Sequence, residues 1–298
     1  TDRSRGLGDV YKRQMLQRQR TNETSDAKLY MVGVPIGNYD DITYRAVETL
    51  KSVDMIYCED TRVTLKLLSH FGISKSLKSY HAYNENEITE SLLLQIKNGK
   101  NIAIVSDAGM PIISDPGFLA VREAIKNEVS VVVVPGPCAF VSALVGSGIS
   151  SNKITFVGFL NSGYNKRKKE LEKLKDLEDT LILYESPHRI KETIEILNEC
   201  MPSRNICLAR ELTKKFEEYL HGTPGEILEI IEEVKGEIVI IIEGATKKEI
   251  KIDLINDTLE NHMKYYENLG INEKEAMKLV AKDRGISKSL IYQELKRK

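Results

Sequence analysis

The sequence predicts an α/β protein with two α/β domains and a small all-α unit at its C-terminal end. Short apolar runs of strand length alternate with helical segments in both halves of the chain, which is typical of sheets covered by helices. The 298 residues exceed the length of an ordinary single domain. We therefore expect an N-terminal α/β domain over 28–148, a second α/β domain over 149–246 and a helical unit over 247–298.

The first domain should contain four strands separated by helices. The helix over 86–98 is well defined, because Ile88, Leu92 and Ile96 fall on one stripe and Gly99 can end it. Thr43 can cap an earlier helix that runs to Leu50. The predicted strands are 29–32, 53–58, 102–105 and 130–134, and the other predicted helices are 63–70, 118–126 and 139–146.

The second domain repeats the alternation. Its predicted strands are 154–158, 180–184, 205–210 and 237–243, with an alternating segment over 216–221 that favours an antiparallel strand; its predicted helices are 164–175, 190–200 and 226–233. We expect a polar linker over 247–257. Three helical segments follow, near Asn261, over 273–283 and over 287–296, and Gly285 in the turn between the last two suggests a helix-turn-helix.

The composition indicates a globular protein with enough apolar side chains for real cores, since 41% of residues are hydrophobic and 29% charged. No apolar run approaches the roughly 18 residues that a membrane-spanning helix needs. The net charge of -1 gives no overall attraction to nucleic acid. The four cysteines lack metal-ligand spacing, so we expect reduced thiols in a cytoplasmic protein.

The N-terminal end should not belong to the fold. Residues 1–14 are polar and basic without periodicity, and they lack the apolar segment of a signal peptide. We interpret them as a non-native leader, with Met15 as the true start. The whole stretch 1–27 is expected to be a disordered or non-native extension.

The familiar binding and catalytic motifs are missing. The sequence contains no GxGxxG after the first strand, no GxxxxGK[ST], no zinc-ligand spacing and no GxSxG. What remains are strand-end loops rich in Gly, Pro, Asp and Ser, and the densest of them covers 106–117. Any single residue there could serve an ordinary turn. Together they predict a site at the strand ends that binds a polar organic cofactor through main-chain groups and carboxylates.

Several of these loops carry a known pattern. In order they are GVPIGN (33–38), VDMIYCEDTR (53–62), VSDAGMPIISDPG (105–117), VPGPCA (134–139), GFL (158–160), YESPHR (184–189) and RELTKKFEE (210–218). The chain resembles the tetrapyrrole-methylase superfamily from about Leu29 to Glu243, and within it the branch that methylates small-subunit ribosomal RNA. It departs from the usual pattern at Val34, Tyr83, Met110, Cys138 and Asn161.

The resemblance implies a cofactor, a reaction and partners. The methyl donor would be S-adenosyl-L-methionine, bound in a cleft between the two α/β domains. The acceptor would be the 2′-hydroxyl of a cytidine ribose in the decoding region of 16S rRNA, in the 30S ribosomal subunit. The resemblance also implies a homodimer, and we expect neither a metal nor a membrane as partner.

The resemblance suggests donor-binding residues in both domains, with Phe159 and Leu160 placed over the adenine. Asp107 would accept hydrogen bonds from a hydroxyl or the amino group of the donor. Residues 114–117 are expected to cap the next helix instead. The donor-binding residues in the first domain would be Pro35, Asp107, Gly109, Met110, Ile113, Pro137, Cys138 and Ala139.

A ribose hydroxyl is a poor nucleophile, so a carboxylate is expected to assist as general base. Asp60, Glu59 and Asp41 are the candidates, with Glu185 behind them. Glu59 and Asp60 have an alternative role, because either could pair with Arg62 or cap the following helix.

Basic residues beside the strand ends are the expected phosphate contacts. Lys168 and Lys169, in the same basic run, are interpreted as a solvated helix face. The C-terminal 28 residues carry eight Lys or Arg against four acidic residues and are expected to contact RNA, unless they only pack on the body. The predicted RNA-binding residues are Lys166, Arg167, Arg189, Arg210, Lys214 and Lys215.

Three functions stay open at this point: an rRNA 2′-O-methyltransferase, a methylase of the same fold acting on a small molecule such as a tetrapyrrole, and a non-catalytic RNA-binding protein of the ribosome. The first is favoured by CEDTR, YESPHR and the basic C-terminal end.

Overall fold

The computed structural model describes residues 26–231 and 236–296, which divide into two compact units. Unit 1 consists of residues 26–142 together with Glu211–Glu217, and unit 2 of Ala143–Arg210 and the described residues from Glu218 onward. The first division falls between Ser142 and Ala143, ahead of the predicted limit after residue 148. The expectations for residues 1–25, for 297–298 and for the end of the helix over 226–233 lie outside the described residues.

Unit 1 contains a five-stranded sheet in which every neighbouring pair is parallel. Its spatial order is β3-β2-β4-β1-β5. All carboxyl ends therefore meet at one edge, as the sequence predicted for a ligand site. The strands are β1 (Leu29–Val32), β2 (Met55–Cys58), β3 (Ser76–Ser79), β4 (Ile102–Val105) and β5 (Val131–Val134).

The strand β3 was not predicted. Its sequence is Ser-Leu-Lys-Ser, and three of the four residues are exposed. It pairs only with β2 at the edge of the sheet, so it has no need of the apolar run that identifies a buried strand. The central strand β4, by contrast, is buried at all four positions.

The sheet of unit 1 is covered on both faces, because successive strand residues enter different cores. Val32, Ile56 and Ala103 belong to one buried cluster, whereas Met31 and Ile104 belong to another. Each fully buried aliphatic side chain stabilises the fold by roughly 1.5–3 kcal/mol. A 3₁₀ turn (Tyr39–Asp41) and five helices surround the strands: α1 (Tyr44–Ser52), α2 (Thr61–His70), α3 (Glu85–Lys97), α4 (Phe118–Lys126) and α5 (Ala139–Ser147), the last of which continues into unit 2.

Unit 2 contains a mixed five-stranded sheet of order β6-β7-β10-β8-β9, in which only β6 and β7 are parallel neighbours. The central strand β10 has the sequence Ile-Val-Ile-Ile-Ile and is buried throughout. The antiparallel strand expected over 216–221 is β9. The strands are β6 (Ile154–Phe159), β7 (Thr180–Glu185), β8 (Ile206–Arg210), β9 (Glu218–Gly222) and β10 (Ile238–Ile242).

The predicted linker over 247–257 is wrong, because these residues form a helix. Thr246 caps it through a capping box, in which the Thr246 hydroxyl accepts from Glu249 N and the Glu249 carboxylate accepts from Thr246 N. The polar composition of this segment favoured a linker, although its capping box is a helix start signal. The helices of unit 2 are α6 (Tyr164–Leu174), α7 (Ile190–Cys200), α8 (Pro224–Ile230), α9 (Lys247–Asn256), α10 (Leu259–Asn268), α11 (Glu273–Arg284) and α12 (Lys288–Lys296).

The last three helices share a small core of their own that includes Met263, Val280 and Ile291. Gly285 ends α11 in the left-handed conformation with φ 65°, as the helix-turn-helix prediction requires. Arg284 ties these helices to α9, since its guanidinium donates to the carbonyl of Leu254 and to Nδ1 of the buried His262. None of the helices within the described ranges is long and apolar enough to cross a membrane.

The cap of α4 also differs from expectation. Gly117 is the N-cap residue and residues 114–117 supply no capping side chain. Instead the Glu85 carboxylate of α3 accepts hydrogen bonds from Gly117 N at 3.1 Å and Leu119 N at 3.2 Å, and from the Tyr80 hydroxyl. A residue more than thirty positions earlier thus stabilises the start of this helix, which local sequence does not reveal.

Replacing Glu85 with Ala should lower the free energy of unfolding by about 1–2 kcal/mol, because two main-chain donors at the start of α4 lose their acceptor. The matched control is Glu87→Ala, since Glu87 is exposed in the first turn of the same helix. Urea unfolding followed by circular dichroism measures both. Equal stability of the two variants would contradict the capping role of Glu85.

Candidate functional site

Main-chain hydrogen bonds fasten the strand-end loops of unit 1 to one another. Val34 and Gly109 form an isolated antiparallel bridge, with N···O distances of 2.9 and 3.1 Å. Gly33 N donates to Val134 O at 3.0 Å. The loops that follow β1, β4 and β5 therefore form one continuous surface at the carboxyl edge of the sheet.

Glycine is required where these loops approach most closely. A Cβ on Gly33 would lie 2.6 Å from the Met110 sulfur and 2.7 Å from Gly136 N, distances that real Cβ atoms do not tolerate. A Cβ on Gly136 would in turn meet the Gly33 backbone at 2.8 Å. Gly109 has φ 76°, a left-handed conformation that favours glycine. Close backbone contacts therefore set the conformation of the loops at this edge.

The loop after β4 holds strained backbone. Ile112 has φ 77° and Ser114 has φ 67°, conformations that cost free energy in residues other than glycine, most of all in β-branched Ile. The Ser106 hydroxyl supports the loop by donating to the carbonyls of Ala108 and Gly109. Such strain is found preferentially at ligand sites, so the loop after β4 stays the candidate for the centre of the site.

Four carboxyl groups interact electrostatically at the ends of β2 and β4: Glu59, Asp60, Asp107 and Asp115. Burial, together with the negative charges of Glu59 and Asp107, raises the pKa of Asp115 to about 7. Burial is also the main cause that raises the pKa of Glu59 and of Asp107, although Asp107 accepts a hydrogen bond from Asp60 N at 2.9 Å. Carboxyl groups with raised pKa values are candidates for proton transfer near neutral pH.

Asp60 behaves differently from its neighbours. Its carboxylate caps α2 by accepting from Arg62 N, and it forms an ion pair with the Arg62 guanidinium at 2.6 Å. These hydrogen bonds lower the pKa of Asp60 to about 2. The capping and pairing role that the sequence left open is therefore present, and a carboxylate held this strongly in its ionised form is a weak base. Asp41 lies exposed in the 3₁₀ turn, and Glu185 is buried in unit 2.

The predicted donor-binding residues fall into both units. Pro35 and Asp107 line one small cavity of about 40 Å³, together with Tyr39 and Thr64. Six others occupy the loops after β4 and β5 in unit 1: Gly109, Met110, Ile113, Pro137, Cys138 and Ala139. Phe159 ends β6 in unit 2, where it is 57% exposed and packs edge-on against Tyr184, whereas Leu160 is buried in the core of that unit.

Three residues of this region were missed. Tyr39 and Thr64 line the cavity, but one lies in a 3₁₀ turn and the other on the buried face of a helix, where sequence gives no signal. Asp115 was interpreted as a helix cap. Its place in a Ser-Asp-Pro-Gly sequence supports that interpretation locally, and only the fold brings it close to Glu59 and Asp107.

The segment Glu211–Glu217 lies in unit 1 because it packs against the loop after β1. A Cβ on Gly37 would lie 2.7 Å from Lys214 Cγ and 3.0 Å from the Thr213 hydroxyl. Glu211 and Lys214 form an ion pair at 2.9 Å. This places Lys214, a predicted phosphate contact, in the same unit as Asp107, while Lys215 is exposed with its ammonium 5.5 Å from the centre of the Phe216 ring.

The prediction for Arg167 is wrong. Its side chain is fully buried and forms ion pairs with Glu185 and Glu192, so it is shielded from an RNA phosphate. Arg189 and Arg210 remain partly exposed and pair with Glu185 and Glu218 respectively. Lys166 is exposed, and the roles predicted for these three residues stay predictions.

Among the described residues, no group of three or more His, Cys, Asp or Glu side chains is placed to hold a metal ion. The cysteines Cys58, Cys138, Cys200 and Cys207 are all free thiols. Burial raises the pKa of Cys138 and of Cys58, so neither thiol is activated as a nucleophile near neutral pH.

Replacing Asp115 with Asn should stabilise the protein at pH 8 more than at pH 5. The folded pKa of about 7 lies above the ordinary value of 3.8, so ionisation opposes folding. The penalty in the native protein grows as the pH rises from about 4 to about 7, and is constant above that range. Asn stays neutral and avoids the penalty. Thermal melting at several pH values measures the difference, with exposed Asp40→Asn as control; a pH-independent difference would contradict the raised pKa.

Comparison with known proteins agrees with this geometry. Residues 28–228 match the family model described as Tetrapyrrole (Corrin/Porphyrin) Methylases. The chain is 42% identical over 283 residues to the protein named Ribosomal RNA small subunit methyltransferase I of Halalkalibacterium halodurans, covering 93% of this chain and 98% of that protein. The protein of the same name from Bacillus subtilis is 42% identical with the same two coverages, and that from Escherichia coli O157:H7 is 41% identical, covering 93% and 97%.

Solved structures show the same fold at low sequence identity. Uroporphyrin-III-C-methyltransferase from Thermus thermophilus has a TM-score of 0.54 at 18% identity, covering 73% of this chain and 94% of that one. Diphthine synthase has a TM-score of 0.57 at 12% identity, covering 73% and 90%. The family match covers more than half of the chain and includes the strand-end loops of unit 1. The chain therefore belongs to the tetrapyrrole (corrin/porphyrin) methylase family.

Proposed function

We propose that this protein is an S-adenosylmethionine-dependent methyltransferase that acts on 16S rRNA of the small ribosomal subunit, at the 2′-hydroxyl of a cytidine ribose. The observation that carries the proposal is the 42% identity, over 93% of the chain, to proteins named Ribosomal RNA small subunit methyltransferase I. The choice of cytidine and of the 2′-hydroxyl rests on the family resemblance of the CEDTR, YESPHR and RELTK segments.

The residues at the carboxyl edge of unit 1 fit such a donor. The close contact of Gly33 with Gly136 and the left-handed Gly109 fix the backbone of these loops, while Asp107 supplies a partly buried carboxylate. A carboxylate accepts hydrogen bonds from hydroxyl or amino groups, both of which the donor carries. When bound, S-adenosylmethionine supplies a methyl group on a positively charged sulfur. The carboxylates of Glu59 and Asp107 would favour that positive charge.

Methyl transfer to a hydroxyl requires the acceptor oxygen, the methyl carbon and the sulfur to lie in line. Holding two reactants in such a geometry is worth roughly 7–11 kcal/mol of the barrier. The fastened loops of unit 1 suit this task, because main-chain bridges leave little freedom to the groups that line the site. Positioning is the main contribution that we assign to the protein.

We assign the role of general base to Glu59. Its pKa is raised by burial and by Asp107, which makes it a stronger base than Asp60, whose pKa is about 2. Asp115, with a pKa of about 7, is a second group suited to accept the proton. Asp60 would then hold the loop after β2 in place through Arg62 and α2. Asp41 is retained as a weaker candidate because it is exposed at the same edge.

Two other functions predict different outcomes. A methylase of this fold acting on a small molecule is favoured by the structural likeness to uroporphyrin-III-C-methyltransferase, at 18% identity. A non-catalytic ribosomal protein would bind RNA without a methyl donor. The much higher identity to the rRNA methyltransferases supports the first function over both. We further propose a cytoplasmic homodimer, on the same family resemblance.

The decisive assay incubates the protein with tritiated S-adenosylmethionine and unmethylated 30S particles. Label in 16S rRNA, located in the ribose of one cytidine by nuclease digestion and mass spectrometry, is the expected result. Donor binding without label in RNA would favour the small-molecule methylase. RNA binding without donor binding would favour the non-catalytic protein.

Replacing Asp107 with Asn should weaken donor binding on the order of tenfold, because the charge that accepts the donor's hydrogen bonds is lost. The amide oxygen can still accept from Asp60 N, so the link between the loops after β2 and β4 is kept. Isothermal titration calorimetry with S-adenosylmethionine measures the change, and Asp40→Asn is the exposed control. Unchanged affinity would exclude Asp107 from the donor site.

The two neighbouring carboxylates should differ in their effect on turnover. With donor and 30S particles saturating, Glu59→Gln should lower kcat on the order of 100-fold, the usual contribution of a general base. Asp60→Asn should lower kcat less and reduce the melting temperature, because the α2 cap and the Arg62 pair are weakened. Full turnover by Glu59→Gln would show that another group, with Asp115 first, accepts the proton.

A further inference from the structure

Arg167 is a buried charge in the middle of a basic surface run. Helix α6 buries only two residues, Arg167 and Leu171, which lie one turn apart on its inner face. Lys166 and Lys169 are exposed, and Lys168 pairs with Glu199. The Arg167 side chain is 0% exposed. Burying the Arg167 guanidinium inside unit 2 costs its hydration free energy. The groups that it contacts therefore indicate its role.

One partner of Arg167 belongs to the YESPHR segment. Arg167 contacts the Glu192 carboxylate of α7, and its Nη1 lies 3.8 Å from Oε2 of Glu185, the last residue of β7. Glu185 is 1% exposed in its side chain. Its Oε1 accepts from Ser186 N at 2.7 Å and from Nη2 of Arg189 at 2.6 Å, and its Oε2 accepts from the Thr193 hydroxyl at 2.7 Å. One buried carboxylate is therefore shared by two guanidinium groups.

This network is poorly explained as a source of stability. The Nε and Nη1 atoms of Arg167 have no hydrogen-bond partner among the described residues. Buried ion pairs often contribute less than well-packed apolar side chains would, and unpaired buried donors add a cost. Leu171, on the same helix face, shows that an apolar residue is accommodated there. The positive charge of Arg167 is better explained by the side chain whose orientation it fixes.

The group held in place is the guanidinium of Arg189. Arg189 is the N-cap residue of α7, where a guanidinium cannot cap because it has no acceptor. Its side chain donates to Glu185 through Nε and Nη2. It is 24% exposed, so one part is fixed on the buried carboxylate and another reaches the surface. Glu185 therefore links the two arginines, and a shift of its carboxylate on loss of Arg167 would change the orientation of Arg189.

We propose that Arg167 is a positioning residue, which orients Arg189 through Glu185 so that Arg189 can contact a phosphate of the RNA substrate. The inference deepens the proposed function and rests on it. A guanidinium recognises phosphate through parallel N–H donors, so its orientation matters as much as its charge. Holding it before the RNA arrives also lowers the entropy lost on binding.

The test is a double-mutant cycle on binding of 30S particles, measured at several salt concentrations. Arg189→Ala should weaken binding and lower the slope of log K against log salt by about one, as expected for one lost phosphate contact. Arg167→Met should weaken binding on the order of tenfold and lower the slope similarly, although residue 167 is buried. The double variant should bind no more weakly than Arg189→Ala. Arg167→Lys should recover part of the loss.

Arg204→Met is the matched control for a buried arginine of unit 2. Arg204 is 6% exposed and donates to the carbonyls of Lys175 and Glu243, so its loss should lower the melting temperature without changing the salt slope. In methyl transfer, Arg167→Met should raise the KM for 30S particles and leave both kcat and the KM for the donor near wild type.

Two results would overturn the inference while leaving the proposed function intact. One is a double variant whose loss of affinity equals the product of the two single losses. The other is an Arg167→Met variant that behaves like Arg204→Met, losing stability but not salt dependence. If the wild-type protein neither binds nor methylates 30S particles, the proposed function fails and this inference fails with it.

Discussion

The antiparallel bridge between Val34 and Gly109 is the contact on which the site in unit 1 depends. It joins the loops after β1 and β4, and the Gly33 hydrogen bond to Val134 adds the loop after β5. Parallel strands bring their carboxyl ends to one edge, but only such cross-links turn separate loops into one surface. The glycines at 33, 109 and 136 follow from this requirement, since a side chain at any of them meets backbone or needs a strained conformation.

This close assembly has an electrostatic consequence. Glu59, Asp107 and Asp115 are brought together with partial loss of solvent, and burial raises the pKa of each. Such an arrangement costs stability and is retained where charge is useful. A positively charged sulfonium and a hydroxyl that must lose a proton both benefit from nearby carboxylates. The pKa of Asp60 is not raised, because the Arg62 guanidinium and the start of α2 stabilise its negative charge.

The two units use charge in opposite ways. Unit 1 gathers carboxylates at the carboxyl edge of its sheet, whereas in unit 2 the buried Arg167 and the partly exposed Arg189 share the buried carboxylate of Glu185. The second arrangement leaves Arg189 partly exposed in a fixed orientation, as a protein that binds a polyanion requires. The return of Glu211–Glu217 to unit 1 brings Lys214 to the loop after β1. A cation is thereby added to the acidic edge by a segment distant in sequence.

The amino-acid sequence by itself determined the α/β class, most strands and helices and, by resemblance, the family. These features depend on local periodicity and on short motifs, both of which are visible in one chain. The sequence failed at the edge strand β3, at the helix α9 and at the cap of α4, because edge pairing, a polar helix and a distant Glu85 leave no local apolar pattern. It also treated all charges in 165–169 as surface charges.

Only the tertiary structure decided which of those charges points inward, which carboxyl groups have a raised pKa and which has a lowered one, and that Asp115 lies close to Glu59 and Asp107. Burial and the distance between charges set these properties, and both arise from segments that the fold brings together: Glu59 with Asp107 and Asp115, and Arg167 with Glu185. Periodicity tells which face of a helix is apolar, but the free energy of a charge depends on its neighbours in space.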